Sequence, residues 1–241
     1  MSTWRRAAAQ WLAWVVAAAV VLQLFFVLRI ALMAWWNPAS TSFERSQLWQ
    51  HWQPTANTLA WRQQWVDYDQ IAPTVKQAVL TAEDDAFTEH SGVQWQAIEK
   101  AWQRNQKAQA QAANHQRTPR VYGGSTITQQ LAKNLLLSGE RSLLRKGQEL
   151  VLTHALELLL DKRRILELYL NHAEWGRGIF GVQAAAQHYF GKSAHQLTRS
   201  EAARLAVMLP NPRYYESRPA SPYLQARART IAARMAGTAI P

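Results

Sequence analysis

The sequence has no cysteine, which excludes a disulfide framework and a thiolate metal site while leaving every redox compartment open. It is also short of acid, with 16 Asp and Glu against 27 Lys and Arg and a formal charge of +11. That excess points to anionic partners: nucleic acid, phospholipid or a phosphorylated substrate. Charge alone does not choose among them. Alternating β-patterning is scarce, and helical periods separated by short loops predict an α-rich domain. Only one long apolar run is present, at the N-terminus. The 241 residues allow one well-cored domain of about 200 residues plus an appendage. What the chain does have in quantity is tryptophan, 12 in all, a residue that favours membrane interfaces and flat ligands such as sugar rings.

The apolar run extends from Trp11 to Trp36, broken only by Gln23 and by Arg29, whose side chain can snorkel to the interface. Trp14 and Trp35 lie 21 residues apart, about 31 Å of helix, which matches a bilayer core. Trp11 and Trp14 at one end and Trp35 and Trp36 at the other read as aromatic belts. Arg5 and Arg6 precede the run without an acid, so the positive-inside rule keeps the N-terminus cytoplasmic and everything after about residue 37 outside. A cleaved signal peptide is the competing reading, with Ala17-Ala18-Ala19 as a small-residue site, but the run continues well past those alanines. The predicted organisation is therefore a cytoplasmic N-terminus at 1–10, an anchor at 11–36, a connector at 37–70 and the main domain at 71–241. Within the connector, Leu59 to Arg62 and Trp65 to Tyr68 are candidates for a short strand or turn pair.

Three charged stretches carry the candidate chemistry. In the first, Glu83, Asp84, Asp85 and Glu89 place four carboxyl groups in seven residues beside apolar Val79, Leu80 and Phe87. Crowding and burial both raise a carboxyl pKa, which makes a candidate general base. The same residues also read as an ordinary acidic turn. Pro73 predicts the start of a helix that ends at or near Glu83. The second is Gly123-Gly124-Ser125-Thr126, leading through Gln129 and Gln130 to Lys133 and Asn134. Thr126 and Gln129 fit a capping box, and a helix start after two glycines suits phosphate. It is not a P-loop, because the lysine does not follow at Walker spacing. In the third, Arg145, Lys146 and Glu149 lie on a helix predicted from Leu143 to Leu160, with Leu144, Val151, Ala155, Leu158 and Leu159 as its apolar set. Arg145 and Glu149 at i,i+4 are either a plain surface ion pair or, with Arg141, an anion clamp beside a second carboxylate.

Around these, residues 94–113 carry Trp95, Ile98 and Trp102 at helical spacing, and the Gln/Ala/Asn-rich tract 103–116 reads as a mobile polar arm. Asp161 is placed to cap a helix through Asn171, and further helices are predicted at about 180–189, 199–209 and 221–236.

Taken in order, Glu83-Asp84-x-x-Phe87-x-x-His90-x-Gly92, the run Gly123 to Asn134, Arg145-Lys146-x-x-Glu149, Lys162 to Asn171 and Gly181 to Ala186 resemble successive motifs of the peptidoglycan glycosyltransferases. The match covers roughly residues 70–215, and with a single span it is most similar to the monofunctional biosynthetic transglycosylases of Gram-negative bacteria. The resemblance implies a mainly α, lysozyme-like domain with a smaller membrane-proximal lobe. It implies polymerisation of lipid II with loss of undecaprenyl pyrophosphate and inversion at the anomeric carbon. Glu83 would be the general base, and Glu149 would assist on the phosphate side. Asp84, Gly124, Ser125, Thr126, Gln129, Gln130, Lys133, Asn134, Arg141, Arg145 and Lys146 would bind substrate. The family usually has an aspartate where this chain has Gln94. No cofactor is required by the resemblance; divalent-cation assistance is compatible with it, though no ligand spacing around Glu83, Asp84, Asp85 and His90 demands a metal. The expected partners are lipid II, the growing glycan, the bacterial inner membrane and other cell-wall synthesis and division proteins, without nucleic acid. A lysozyme-like glycan hydrolase and a non-catalytic cell-wall scaffold are the rival readings.

Overall fold

The computed structural model describes residues 3–51, 61–115, 123–137 and 142–241. Helix α1, Thr3–Leu32, is apolar on all sides and long enough to cross a bilayer. It begins well before Trp11 because Ala7, Ala8 and Ala9 favour helix, so the stretch expected as a cytoplasmic N-terminus is largely helical. It ends before Trp35 and Trp36, which lie exposed in the following turn. The end of α1 is docked on the rest of the chain. Ile30 and Met33 are buried in the core, and Phe26 packs against it.

Two polar contacts fix this docking. Gln23 and Gln148 exchange amide hydrogen bonds of 2.8 and 3.0 Å. Arg164 donates to the carbonyls of Met33 and Trp36 and to Asn37 Oδ1, which satisfies groups left open where the helix stops.

The described part of the connector, 37–51 and 61–70, forms more regular structure than its sequence suggests. Helix α2 spans Ser42–His51, started by reciprocal bonds between Thr41 and Glu44. Glu44 is fully buried and also accepts from Gln63 and from His172 Nδ1, which pins the connector to the domain. The expected strand pair at 59–68 is not formed by the described residues. Strand β1, Arg62–Gln63, instead runs parallel to β3, Ile179–Phe180, which is antiparallel to β2, Glu174–Gly176. Trp61, just before β1, lies against Phe180 of β3, with ring centroids 4.6 Å apart. Residues Tyr68–Gln70 form a 3-10 turn; Leu59 and Ala60 lie outside the described residues.

The remaining helices are α3 Pro73–Glu83, α4 Trp95–His115, α5 Ile127–Leu136, α6 Leu143–Leu159, α7 Lys162–His172, α8 Val182–Phe190, α9 Arg199–Met208, α10 Pro212–Glu216 and α11 Pro222–Arg234. Helices α3, α9 and α11 pack together, and α5 is held between α6 and α7. The predicted caps at Thr126 and Asp161 are present as side-chain bonds to the amides of Gln129 and Arg164.

Two expectations are corrected. The tract from Gln103 to His115 continues α4 rather than forming an arm, because alanine and glutamine sustain helix without a buried face; Gln116 lies outside the described residues. On α6 the core takes Leu152 and Leu156, whereas Leu144, Val151 and Leu158 are 87, 54 and 84 % exposed. Ala155 and Leu159 of the expected set pack against the core, but the other three are turned outward, as are Trp95 and Trp102 on α4. Both stripes suit an apolar medium better than water.

Candidate active site

Helix α3 ends where the acidic stretch begins, so the last helical residue, Glu83, projects from a rigid element. Its Oε2 accepts one hydrogen bond, 2.8 Å, from Gln130 Nε2 on α5. Gln130 is held in turn by the Tyr169 hydroxyl, which donates to its Oε1 over 3.1 Å and thereby fixes which end of the amide faces the carboxylate. Desolvation raises the Glu83 pKa and nearby Asp84 adds to it, while Gln130, Arg227 and Lys133 pull it down. Burial, with help from Glu83 and Asp84, also pushes the Tyr169 hydroxyl up, so it stays a neutral donor.

Asp84 has a different task. It is buried, its Oδ1 lies 2.8 Å from His90 Nε2, and its Oδ2 accepts from the Ile127 amide at the start of α5 over 3.0 Å. The Gly92 amide donates to His90 Nδ1, so His90 carries its proton on Nε2 and donates to Asp84. Gly92 holds φ +85°, and a Cβ there would meet Thr153 Cγ2 at 2.7 Å. The Thr126 hydroxyl completes the clasp by donating to the Gly92 carbonyl over 2.6 Å. The acidic loop is thus bound to the first turn of α5.

A cleft of about 430 Å³ opens over Glu83. Gly123, Gly124, Ser125 and Thr126 form one edge, and Gly124 lies so close to α4 that an added Cβ would stand 3.0 Å from the Ala97 carbonyl oxygen. Gln94 lines the cleft just ahead of α4, its carbonyl accepting from Ala97 and Ile98. Lys100 and Arg104 of α4 and Arg227 and Arg234 of α11 line it as well, facing Glu83, Asp84 and Asp85. These four cations and Tyr169 were not singled out from the sequence. A signal existed for the cations: Lys100 and Arg104 are four apart, opposite Trp95 and Trp102, and Arg227 and Arg234 are seven apart.

Other predicted residues sit apart from this cleft. Gln129 is buried and spends its side chain on the capping box. Lys133 is exposed on α5, near enough for its charge to act on Glu83, with Asn134 half-buried beside it. Glu149 is buried on α6 and paired with Arg145 Nη1 at 2.9 Å and with Lys146 Nζ. Arg141 lies outside the described residues. Among the described residues, no group of His, Asp and Glu is arranged to hold a metal ion.

A family model described as transglycosylase matches residues 53–236 of this chain. The chain belongs to the transglycosylase family. Its helical, lysozyme-like domain accords with that family. A biosynthetic peptidoglycan transglycosylase of Janthinobacterium sp. (strain Marseille) is 50 % identical over 227 residues, covering 92 % of each chain. One from Burkholderia pseudomallei is 48 % identical over 243 residues, covering 98 % of this chain and 90 % of its own. Another, from Bordetella avium, reaches 58 % over 177 residues, 73 % of this chain and 72 % of its own.

Proposed function

We propose that the chain is a membrane-anchored glycosyltransferase that polymerises lipid II into the glycan strands of peptidoglycan. The GlcNAc 4-hydroxyl of the acceptor attacks the anomeric carbon of the MurNAc at the reducing end of the growing chain. As the new C–O bond forms, the hydroxyl proton passes to Glu83, and the bond from C1 to the pyrophosphate oxygen breaks with its electron pair. Undecaprenyl pyrophosphate leaves, and direct displacement inverts the anomeric centre. An alcohol is far too weak an acid to attack unaided, so a positioned base is required. Support for Glu83 comes from its raised pKa and its single, well-oriented hydrogen bond from Gln130.

The leaving pyrophosphate needs fixed positive charge. Lys133, Arg145 and Lys146 supply it, and Glu149 serves by holding Arg145 and Lys146 in place. Asp84, Thr126 and Gln129 act by fixing the loop and the start of α5, while Gly124, Ser125 and the cations of α4 and α11 meet the anionic substrate. Helix α1 fits a single-pass anchor in the bacterial inner membrane, with Arg5 and Arg6 inside and the catalytic domain on the periplasmic side. The outward apolar residues of α4 and α6 enter the same leaflet, where both lipid substrates reside.

The cation-lined cleft over Glu83 is the observation that carries this reading against a hydrolase, because an uncharged glycosidic bond needs no such lining. Incubating the full-length protein with lipid II tests it. Glycan polymer is the expected product; cleavage of preformed glycan without polymer refutes polymerisation.

A further inference from the structure

The junction between α1 and the catalytic domain contains a second cavity, of about 420 Å³, unconnected with the chemistry at Glu83. Arg29, on the last turn of α1, and Arg45, on α2, both line it, close enough for their charges to repel. Among the described residues, neither guanidinium meets a carboxylate. Glu44, the acid nearest in sequence to Arg45, is buried and spent on the Thr41 amide, Gln63 and His172. Arg45 is exposed, but its side chain is tethered. Its Nη1 donates to the Ser40 carbonyl and hydroxyl and its Nη2 to the Ser42 hydroxyl, at 3.0 to 3.1 Å, which aims it at the cavity.

Two like charges facing one cavity without a counter-charge are destabilising unless an anion bridges them. The rest of the lining specifies which kind of anion. Leu32, Met33, Trp36 and Pro38 are apolar, and they stand beside the exposed Trp35 at the end of the spanning helix, the level at which tryptophan meets lipid headgroups. A small inorganic anion would leave that apolar wall unused.

We propose that this cavity binds the phosphate of an anionic membrane phospholipid between Arg29 and Arg45, with the glycerol end against Leu32 and Trp36. The proposal rests on α1 spanning a membrane, but not on the polymerisation chemistry. It gives the lipid a defined role: it neutralises the joint at which the anchor meets the catalytic domain. Arginine suits the task because a guanidinium carries several donors in one plane, so Arg45 keeps Nε–H and the second Nη2–H for a phosphate while Ser40 and Ser42 hold the others.

The test is native mass spectrometry of the full-length protein in nanodiscs of phosphatidylcholine containing phosphatidylglycerol. Wild type is compared with Arg29→Gln/Arg45→Gln, with Arg29→Lys/Arg45→Lys, and with Arg177→Gln as a control at an exposed arginine elsewhere. Wild type and the control should retain one phosphatidylglycerol per chain and gain thermal stability from it. The glutamine pair should bind at least about tenfold more weakly, the effect of losing one charge-assisted hydrogen bond, and the lysine pair should recover part of the loss. Equal retention by wild type and the glutamine pair, or no preference for phosphatidylglycerol over phosphatidylcholine, overturns the proposal. So does displacement by undecaprenyl phosphate at concentrations where phosphatidylglycerol fails to compete, because the site would then belong to the polyprenyl substrate. None of these readouts depends on enzymatic turnover, so failure here is distinct from failure of the polymerisation reading.

Discussion

Glu83 and Glu149 are the same residue type on two packed parts of one domain, yet they keep different company. Glu83 accepts one neutral hydrogen bond, and burial holds its pKa above the ordinary carboxylate range. Glu149 is the more deeply buried of the two, and it is paired with Arg145 and Lys146. Its two ion pairs fix the positions of the charges around it. Under the proposed mechanism, these partners rather than the side chain itself assign Glu83 the role of base.

The largest effect should come from Glu83→Gln, which keeps the size and the bond from Gln130 but removes the proton acceptor. A loss of roughly 10² to 10⁴ in kcat for lipid II polymerisation is expected, with KM little changed. Glu149→Gln should cost less and act differently. Loosening Arg145 and Lys146 should lower kcat/KM by about ten- to a hundredfold, the equivalent of one or two charge-assisted hydrogen bonds. Glu149→Asp should recover part of that loss. If the two glutamine variants behave alike, the division of roles fails.

Smaller changes sharpen the same contrast. Gln130→Leu removes a bond that favours ionised Glu83, so the acid limb of the pH–rate profile should move to higher pH. Tyr169→Phe should move it the same way by less, because it only frees the Gln130 amide to turn.

Stability offers a separate check. A carboxyl whose pKa is raised on folding stabilises the native state below its unfolded pKa, and that contribution is lost as pH rises through the folded value. Glu83→Gln should therefore raise the melting temperature near neutral pH, with the gain vanishing in acid. Thermal unfolding at several pH values measures it, and an equal gain at every pH would contradict the burial of an ionisable group. The smallest effect expected is from Gln94→Asp. A better cap for α4 should add about 1 kcal/mol of stability. The new charge on the cleft should also nudge the Glu83 acid limb upward.

The parts of the site governed by local rules were readable from the sequence. Pro73 placed the start of α3 and hence Glu83 at its end, and Thr126 with Gln129 announced the first turn of α5. What was not readable depends on distant packing. Tyr169 reaches Gln130 across 39 positions, and Arg227 comes to the Glu83 cleft only because α11 packs on α3 and α9. The strand partner of Arg62 lies more than a hundred residues away, beyond the reach of any local pattern. On α6 the apolar residues were visible, but which of them turn outward was not, because an exposed apolar stripe and one facing a core have the same spacing. Polarity carried the missing information: Gln148 and Glu149 bracket the side of α6 that docks on α1 and holds the cations.

The measurement that bears most directly on these roles is the pH dependence of lipid II polymerisation by wild type, Glu83→Gln and Glu149→Gln under one set of conditions. Wild type and Glu149→Gln should share an acid limb set by a carboxyl with a raised pKa, while Glu83→Gln should be too slow to show one. Undiminished polymerisation by Glu83→Gln, or an acid limb that disappears with Glu149 rather than with Glu83, would contradict the assignment of Glu83 as the base.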